Sequence, residues 1–171
     1  MAIAMNTLMT IGYEGALIDD FIATLKRVDV EVLIDIRDVP ISRKRGFSKK
    51  SLATALEGAG LDYIHLRDLG DPKPGRDAAR RGDIEGFERI FRAHLARDVS
   101  QVALARAVDI ASRARATLLC FERDPACCHR TIVAAAMADR APFEVRHLGV
   151  RRGLASEGDS VHVGQDAAHH G

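Results

Sequence analysis

Short apolar segments alternate with stretches of helical hydrophobic periodicity over most of this chain, and few folds accommodate such a pattern. Five apolar runs are predicted strands, at residues 7–13, 30–36, 61–66, 116–121 and 143–148. Segments with apolar residues at helical spacing follow or separate them, at residues 17–28, 48–58, 83–98, 101–113 and 131–138. This alternation predicts a single α/β domain with a mostly parallel sheet of about five strands and helices on both faces.

The predicted α/β domain covers residues 6–149, and the rest of the chain differs in composition. Residues 150–171 are rich in Gly, Ala, Ser and charge without periodicity, which predicts a disordered C-terminal tail. Within the domain, residues 67–82 form a Pro- and Gly-rich connection that is long for a compact fold. Long connections of this kind are often lids or binding loops, so we expect such a loop here.

Composition excludes several classes of protein. A chain of 171 residues suits one domain with a sizeable core, and its 25 Lys+Arg against 24 Asp+Glu give a net charge of +1. That balance argues against a protein that coats nucleic acid through bulk positive charge. No apolar run approaches the roughly 18 residues of a membrane span, so no membrane association is predicted. Three cysteines, two of them adjacent, are a poor framework for structural disulfides and favour a reducing, cytoplasmic location.

Polar residues stand directly after the predicted strands. Glu14 follows the first strand, Arg37 and Asp38 follow the second, and Glu122 follows the fourth. The carboxyl ends of parallel strands meet at one edge of a sheet, where α/β proteins usually bind their ligands. Strand ends also meet solvent, so polar residues are equally expected there without a site. The pattern therefore leaves a ligand site and a plain solvated edge both open.

The segment 37–50 has six basic residues against the single acid Asp38, a local charge of about +5. It leads from a strand end to a predicted helix start at Ser48, where unpaired backbone N–H groups favour an anion. Arginine binds phosphate or carboxylate through two parallel hydrogen bonds, and Phe47 is placed to stack on a ring. The segment predicts an anion site, and the alternative is a solvated loop with Phe47 in the core.

A second candidate segment covers residues 118–131, with the sequence LLCFERDPACCHRT. Cys128 is predicted at a helix start beside His129 and Arg130, an environment that lowers the pKa of a thiol. Glu122 is a candidate general base, or a group that orients His129 or Arg130. Cys120 lies inside the apolar run, which favours an inert core residue. The segment therefore predicts Cys128 as a nucleophile with Glu122 and His129 in support.

The sequence lacks the common motifs for metals and cofactors. The spacing C-x6-C-C-H differs from the paired ligand units of structural zinc sites, so no metal is predicted. Neither a Walker phosphate loop nor a G-x-G-x-x-G fingerprint is present, so no cofactor is predicted.

Four motifs occur in order over residues 7–148. They are T-I-G-Y-E-G at 10–15, L-I-D-I-R-D-V-P-I-S-R at 33–43 followed by G-F-S-K, Y-I-H-L-R-D-L-G at 63–70, and L-L-C-F-E-R-D-P-x-x-C-H-R at 118–130. Together they resemble the domain-of-unknown-function family 488 (DUF488). The resemblance marks as motif positions Arg37, Pro40, Ser42, Phe47, Glu122, Cys128, His129 and Arg130. Many relatives begin their first motif with Gly-His-Ser, whereas this chain has Gly12, Tyr13 and Glu14, so no histidine acts there.

These observations give one leading functional hypothesis and two alternatives. The leading hypothesis is an intracellular enzyme or binder for an anionic, phosphorylated or nucleotide-like small molecule at the carboxyl ends of the strands. Its candidate residues are, for catalysis, Glu122, Cys128 and His129, and for substrate binding, Arg37, Ser42, Arg43, Phe47 and Arg130. The alternatives are a nucleic-acid-binding module that uses residues 37–50 and an interaction domain without catalysis. The leading hypothesis covers both an enzyme and a non-catalytic binder and specifies no oligomeric state.

Overall fold

A parallel sheet forms the centre of the fold. The computed structural model describes residues 5–157, and within this part of the chain the sheet has five strands in the order β3-β2-β4-β1-β5. All neighbouring pairs run parallel. The strands are β1 (Asn6–Gly12), β2 (Val32–Asp35), β3 (Asp62–His65), β4 (Ala116–Cys120) and β5 (Phe143–Leu148). The sheet confirms the predicted α/β class, and each strand lies within two residues of its predicted bounds.

Helices cover both faces of this sheet because successive strand residues point to opposite sides. The helices are α1 (Ile18–Arg27), α2 (Lys49–Gly58), α3 (Lys73–Arg80), α4 (Ile84–Leu95), α5 (Asp98–Arg113) and α6 (His129–Ala138). Leu33 packs on the face covered by α1 and α2, whereas its neighbour Ile34 packs on the face covered by α3 to α6. None of the helices among residues 5–157 combines the length and the apolar character needed to cross a bilayer.

Helix α4 illustrates how local sequence sets these elements. Its N-cap is Asp83, whose carboxylate accepts a hydrogen bond from the backbone N–H of Gly86 at 2.9 Å. Phe87, Phe91 and Leu95 follow at four-residue spacing and are buried against the sheet. The helical spacing predicted for residues 83–98 is thus present in α4, which ends at Leu95.

The connection 67–82, predicted as a loop, is largely helical. It holds a 3-10 turn at Arg67–Leu69 and then α3. Pro72 is the N-cap of α3 and Pro74 stands in its first turn, where proline removes no helical hydrogen bond. Ala78 is fully buried in the core and anchors the helix. The proline and glycine content hid a short helix whose prolines stand at its start and whose end is followed by Gly82.

The first part of the predicted tail, residues 150–157, makes contacts with the region around α1. Val150 is buried beneath α1, and the backbone N–H groups of Gly153 and Ala155 donate to the Asp20 carboxylate at 2.9 and 3.0 Å. These hydrogen bonds lower the pKa of Asp20 below its ordinary value. Residues 150–157 are therefore tied to α1, and the remainder of the predicted tail, residues 158–171, lies outside the described residues.

Candidate functional site

A pocket of about 620 Å³ opens at the carboxyl ends of the strands. Tyr13 follows β1, Arg37 follows β2 and Glu122 follows β4, and all three line the pocket. Helix α3 contributes Arg76, and the start of α6 contributes His129. The pocket thus occupies the edge where an α/β sheet of this kind usually binds its ligand.

Three arginines other than Arg37 surround the pocket. Arg43 and Arg80 are exposed, and Arg76 is partly buried. Arg76 is fixed in place because its Nη1 donates to the Asp38 carboxylate at 2.8 Å and to the Asp71 carbonyl at 2.7 Å. The pocket is therefore bordered by one oriented guanidinium and two that extend into solvent.

Arg37 lines the pocket but is held by the protein itself. Its Nε and Nη2 donate to the two oxygens of Asp35 at 2.9 and 2.8 Å, and its Nη1 donates to the Phe47 carbonyl at 2.6 Å. The guanidinium also lies 5.3 Å from the centre of the Tyr13 ring. Although burial acts to lower the pKa of Arg37, the charge and hydrogen bonds of Asp35 raise it above its ordinary value. Arg37 is thus neutralised internally, and the basic segment offers a ligand less charge than its composition indicates.

Three carboxyl groups in the pocket have shifted pKa values, two of them raised and one lowered. Burial raises the pKa of Asp71 to about 7, and the charges of Glu122 and Asp38 add to this while Arg76 opposes it. Burial likewise raises the pKa of Glu122. At Asp38 burial is outweighed by Arg76 and Arg67, which hold the pKa below its ordinary value. One carboxylate therefore stays ionised beside two carboxyl groups that hold a proton more strongly, a combination typical of acid–base sites.

His129 has a defined tautomer. Its Nε2 lies 2.7 Å from the carbonyl of Ile36, which can only accept, so Nε2 carries the proton. The unprotonated Nδ1 therefore faces the Cys128 Sγ at 3.6 Å. Burial lowers the pKa of His129 to about 4, and the ring is neutral at pH 7. The edge of Phe91 packs against the ring and keeps it in this orientation.

Cys128 is joined by a disulfide to Cys120, the residue predicted to be inert. Both sulfurs are buried, Cys120 at the end of β4 and Cys128 at the N-cap of α6. With His129 they place three possible ligand atoms within 4.8 Å of one another. A disulfide sulfur is not a thiolate ligand, so only the reduced pair is able to hold a metal such as zinc.

The predicted site residues fall into two groups. Those that line the pocket are Arg37, Ser42, Arg43, Glu122 and His129. Phe47, Cys128 and Arg130 are buried behind it instead. The Phe47 ring stacks on Tyr13 at 4.5 Å and meets Phe21 edge-on, which leaves no ring face for a ligand.

Asp71, Arg76 and Arg80 also line the pocket, although no sequence motif marked them. All three come from the connection predicted as a loop, and α3 turns Arg76 and Arg80 to the same side because they are four residues apart. That four-residue spacing is the signal the sequence carries, and the prolines at the start of the helix obscure it.

Asp71 provides a first testable prediction. Its pKa is raised from an unfolded value near 4 to about 7, so the folded protein binds a proton that the unfolded chain releases. This contribution to stability is complete below pH 4 and is lost as the pH rises through 7. Asp71→Asn keeps a neutral group at the position. We expect it to raise the free energy of unfolding at pH 8 by about 1–3 kcal/mol and to have little effect at pH 4.

Urea denaturation between pH 4 and 8 measures this difference. The exposed Asp62 at the start of β3 gives the control Asp62→Asn, which should follow the wild-type curve. A constant gap between wild type and Asp71→Asn across that pH range contradicts the assignment.

The comparisons with known proteins give one positive finding. A family model described as "Domain of unknown function DUF488" matches residues 17–137. This range runs from the start of α1 into α6 and includes the pocket-lining residues except Tyr13. No curated protein and no solved structure shows a significant match to the chain. The match confirms the resemblance seen in the sequence motifs.

Proposed function

Because this chain belongs to the DUF488 family, whose description names no activity, we propose its function from the pocket itself. The protein binds a small anionic organic molecule at the carboxyl ends of the strands and exchanges a proton with it. A volume of about 620 Å³ suits a molecule of nucleotide or sugar-phosphate size. The observation that carries the proposal is the meeting of exposed arginines, exposed apolar side chains and protonatable carboxyl groups in one pocket.

The arginines supply recognition of the anion. Arg43 and Arg80 line the pocket from different elements. Arg43 lies on the loop before α2, and Arg80 lies at the end of α3. Arg76, one turn before Arg80 on α3, is already oriented by Asp38. Planar guanidinium groups suit phosphate and carboxylate oxygens, so a group with two or more such oxygens is the chemistry expected here.

Apolar side chains at the pocket supply recognition of the organic part. Val39, Ile41 and Phe121 line the pocket with 47%, 76% and 46% of their surface exposed. Large apolar side chains that remain exposed around a pocket gain free energy when a ligand covers them. Phe121 is held edge-on against Tyr13 with ring centres 5.3 Å apart, so its position is already fixed. A bare inorganic anion would leave this surface uncovered.

The carboxyl groups supply the chemistry. Asp71 titrates near neutrality and is 92% buried, since its exposed fraction is 8%. A carboxyl group with a pKa near the working pH is both an effective proton acceptor and an effective donor. Glu122, whose pKa burial also raises, lines the same pocket from the β4–α6 connection and is the second carboxyl group assigned to proton exchange. We assign general acid–base catalysis to this pair rather than nucleophilic catalysis to Cys128.

A pair of charge variants in one loop tests the proposed recognition. Arg43 lines the pocket, and Arg45, which is also exposed and stands two residues later, does not. The probes are adenosine 5′-monophosphate, ribose 5-phosphate, adenosine and inorganic phosphate, measured by isothermal titration calorimetry. We expect the first two to bind best and Arg43→Gln to weaken them roughly tenfold, with Arg45→Gln unchanged.

The same experiment has outcomes that overturn the proposal. Equal weakening by the two variants, or no binding of either phosphorylated probe at millimolar concentration, contradicts an anion site in this pocket. A nucleic-acid-binding module would use exposed charges outside the pocket, such as Arg45, Lys49 and Lys50. For that function, an oligonucleotide would bind with steep salt dependence and Arg45→Gln would weaken it as much as Arg43→Gln.

A further inference from the structure

We propose that Cys120 and Cys128 are a reversible dithiol–disulfide pair, a modification site for two-electron oxidants of the peroxide class. The proposal is independent of the pocket's ligand. It concerns two sulfurs that lie behind the pocket wall and that the acid–base chemistry does not use.

The fold brings the two cysteines together from separate elements. Cys120 ends β4 and Cys128 caps α6, and the seven residues between them form the connection that carries Glu122. Glu122, two residues after Cys120, and His129, next to Cys128, both line the pocket. The two sulfurs therefore lie close in the chain to residues of the pocket wall, the side from which a small oxidant is expected to approach.

Arg130 is the main reason to expect a reactive thiolate at Cys120. Its guanidinium is fully buried and donates to the Thr10 hydroxyl at 3.0 Å, to the Arg123 carbonyl at 3.1 Å and to the Glu122 carbonyl. Its Nη1 also donates to the Cys120 Sγ at 3.0 Å. These acceptors are all uncharged in the disulfide state, although burying a cation favours a direct anionic partner. Reduction supplies such a partner, since a Cys120 thiolate is in contact with the guanidinium.

Cys128 has two features that suit the second sulfur. As the N-cap of the ten-residue α6, its side chain lies at the positive end of the helix dipole, which favours a thiolate. The lone pair of His129 Nδ1 faces its sulfur at 3.6 Å and accepts a hydrogen bond from a Cys128 thiol. Buried structural cysteines in apolar surroundings are inert, and neither of these sulfurs has such surroundings.

The chemistry balances with a peroxide as the oxidant. The Cys120 thiolate attacks one oxygen of hydrogen peroxide, an S–O bond forms as the O–O bond breaks, and the released hydroxide takes up a proton to give water. Cys128 then attacks the sulfenic sulfur of Cys120, and the S–S bond forms as a second water leaves with the Cys128 proton. The thiols lose two electrons in total, and a dithiol reductant returns them by exchange.

Counting thiols in the full-length protein tests the pair. The chain has three cysteines, and the adjacent Cys127 provides the matched control variant Cys127→Ser. Reduced protein is treated with one equivalent of hydrogen peroxide, denatured, alkylated and analysed by mass spectrometry. We expect wild type to lose two alkylatable thiols and about 2 Da, with a disulfide-linked peptide pair of Cys120 and Cys128, and dithiothreitol to restore both thiols.

The variants separate a pair from unspecific oxidation. Cys127→Ser is expected to form the disulfide as wild type does, whereas Cys120→Ala and Cys128→Ser should not form it. The proposal is overturned if wild type retains three thiols or forms a disulfide that involves Cys127. Both outcomes are read from the wild-type protein, so they do not require any variant to fold. The assay also includes metal analysis of the reduced protein. One equivalent of zinc that protects Cys120 and Cys128 from alkylation would instead assign the pair to a metal site and overturn the redox role.

Discussion

Replacing Asp35 with Asn should lower the free energy of unfolding by about 3–5 kcal/mol. Asp35 is fully buried, and both of its oxygens accept hydrogen bonds from Arg37. The Tyr63 hydroxyl donates to the same carboxylate at 2.5 Å. The asparagine keeps the shape but removes the charge, and it leaves a buried guanidinium without its counterion. Breaking a buried ion pair on one side is much more costly than breaking an exposed one.

Urea denaturation monitored by circular dichroism measures this loss. The surface pair of Asp109 and Arg113, with 60% and 78% of their side chains exposed, gives the matched control Asp109→Asn. We expect the control to change stability by less than about 1 kcal/mol. A similar small change in Asp35→Asn would show that the Arg37 charge is tolerated alone, and Arg37 would then be available to a ligand after all.

A second large effect is expected at Gly12, where Gly12→Ala should cost about 3 kcal/mol of stability. Gly12 ends β1 beside Cys120 of β4. A Cβ at this position would overlap the backbone carbonyl of Glu122 and press on the Arg130 guanidinium. Neither neighbour can yield easily, because the carbonyl is backbone and Arg130 is fully buried and hydrogen-bonded on several sides. The β4–α6 connection would have to move, and with it the side chain of Glu122.

The control for this substitution is Gly58→Ala. Gly58 ends α2, and a Cβ there meets nothing within 4 Å. Because alanine is the better helix former, we expect Gly58→Ala to leave stability unchanged or to raise it by up to about 1 kcal/mol. Equal effects of the two substitutions on the urea midpoint would show that the close approach of the Glu122 carbonyl does not require a glycine at position 12.

The elements of the fold could be predicted largely because their signals are local. The strands are short apolar runs, and the apolar face of α4 repeats at helical spacing after the Asp83 cap. Helix α3 was not predicted because proline disrupts the interior of a helix but is tolerated at its start, where Pro72 and Pro74 stand. The sequence pattern does not mark the residue at which this helix begins. The order of the strands is set by contacts between distant segments, such as Gly12 beside Cys120, which no local pattern encodes.

The position of the candidate site could be predicted from the sequence, but the ion pair of Arg37 and the bonding of Cys120 could not. The rule for parallel sheets places Arg37 and Glu122 at one edge, and both side chains line the pocket there. The pairing of Arg37 with Asp35 follows from their two-residue spacing on an extended chain, a signal that the count of basic residues obscured. The contacts of Cys120 with Cys128 and Arg130 join residues 8 and 10 positions apart across a turn, and depend on how α6 docks on β4.

The position of β1 within the sheet has a consequence for how small a piece of this protein is able to fold. The family match covers residues 17–137, whereas β1 and β5 lie outside it, and β1 is hydrogen-bonded to both β4 and β5. A fragment with the matched boundaries would therefore expose one whole side of β4, with its unpaired backbone N–H and C=O groups, as an aggregation-prone edge. The cooperative folding unit of this protein is thus longer at both ends than the segment by which its family is recognised.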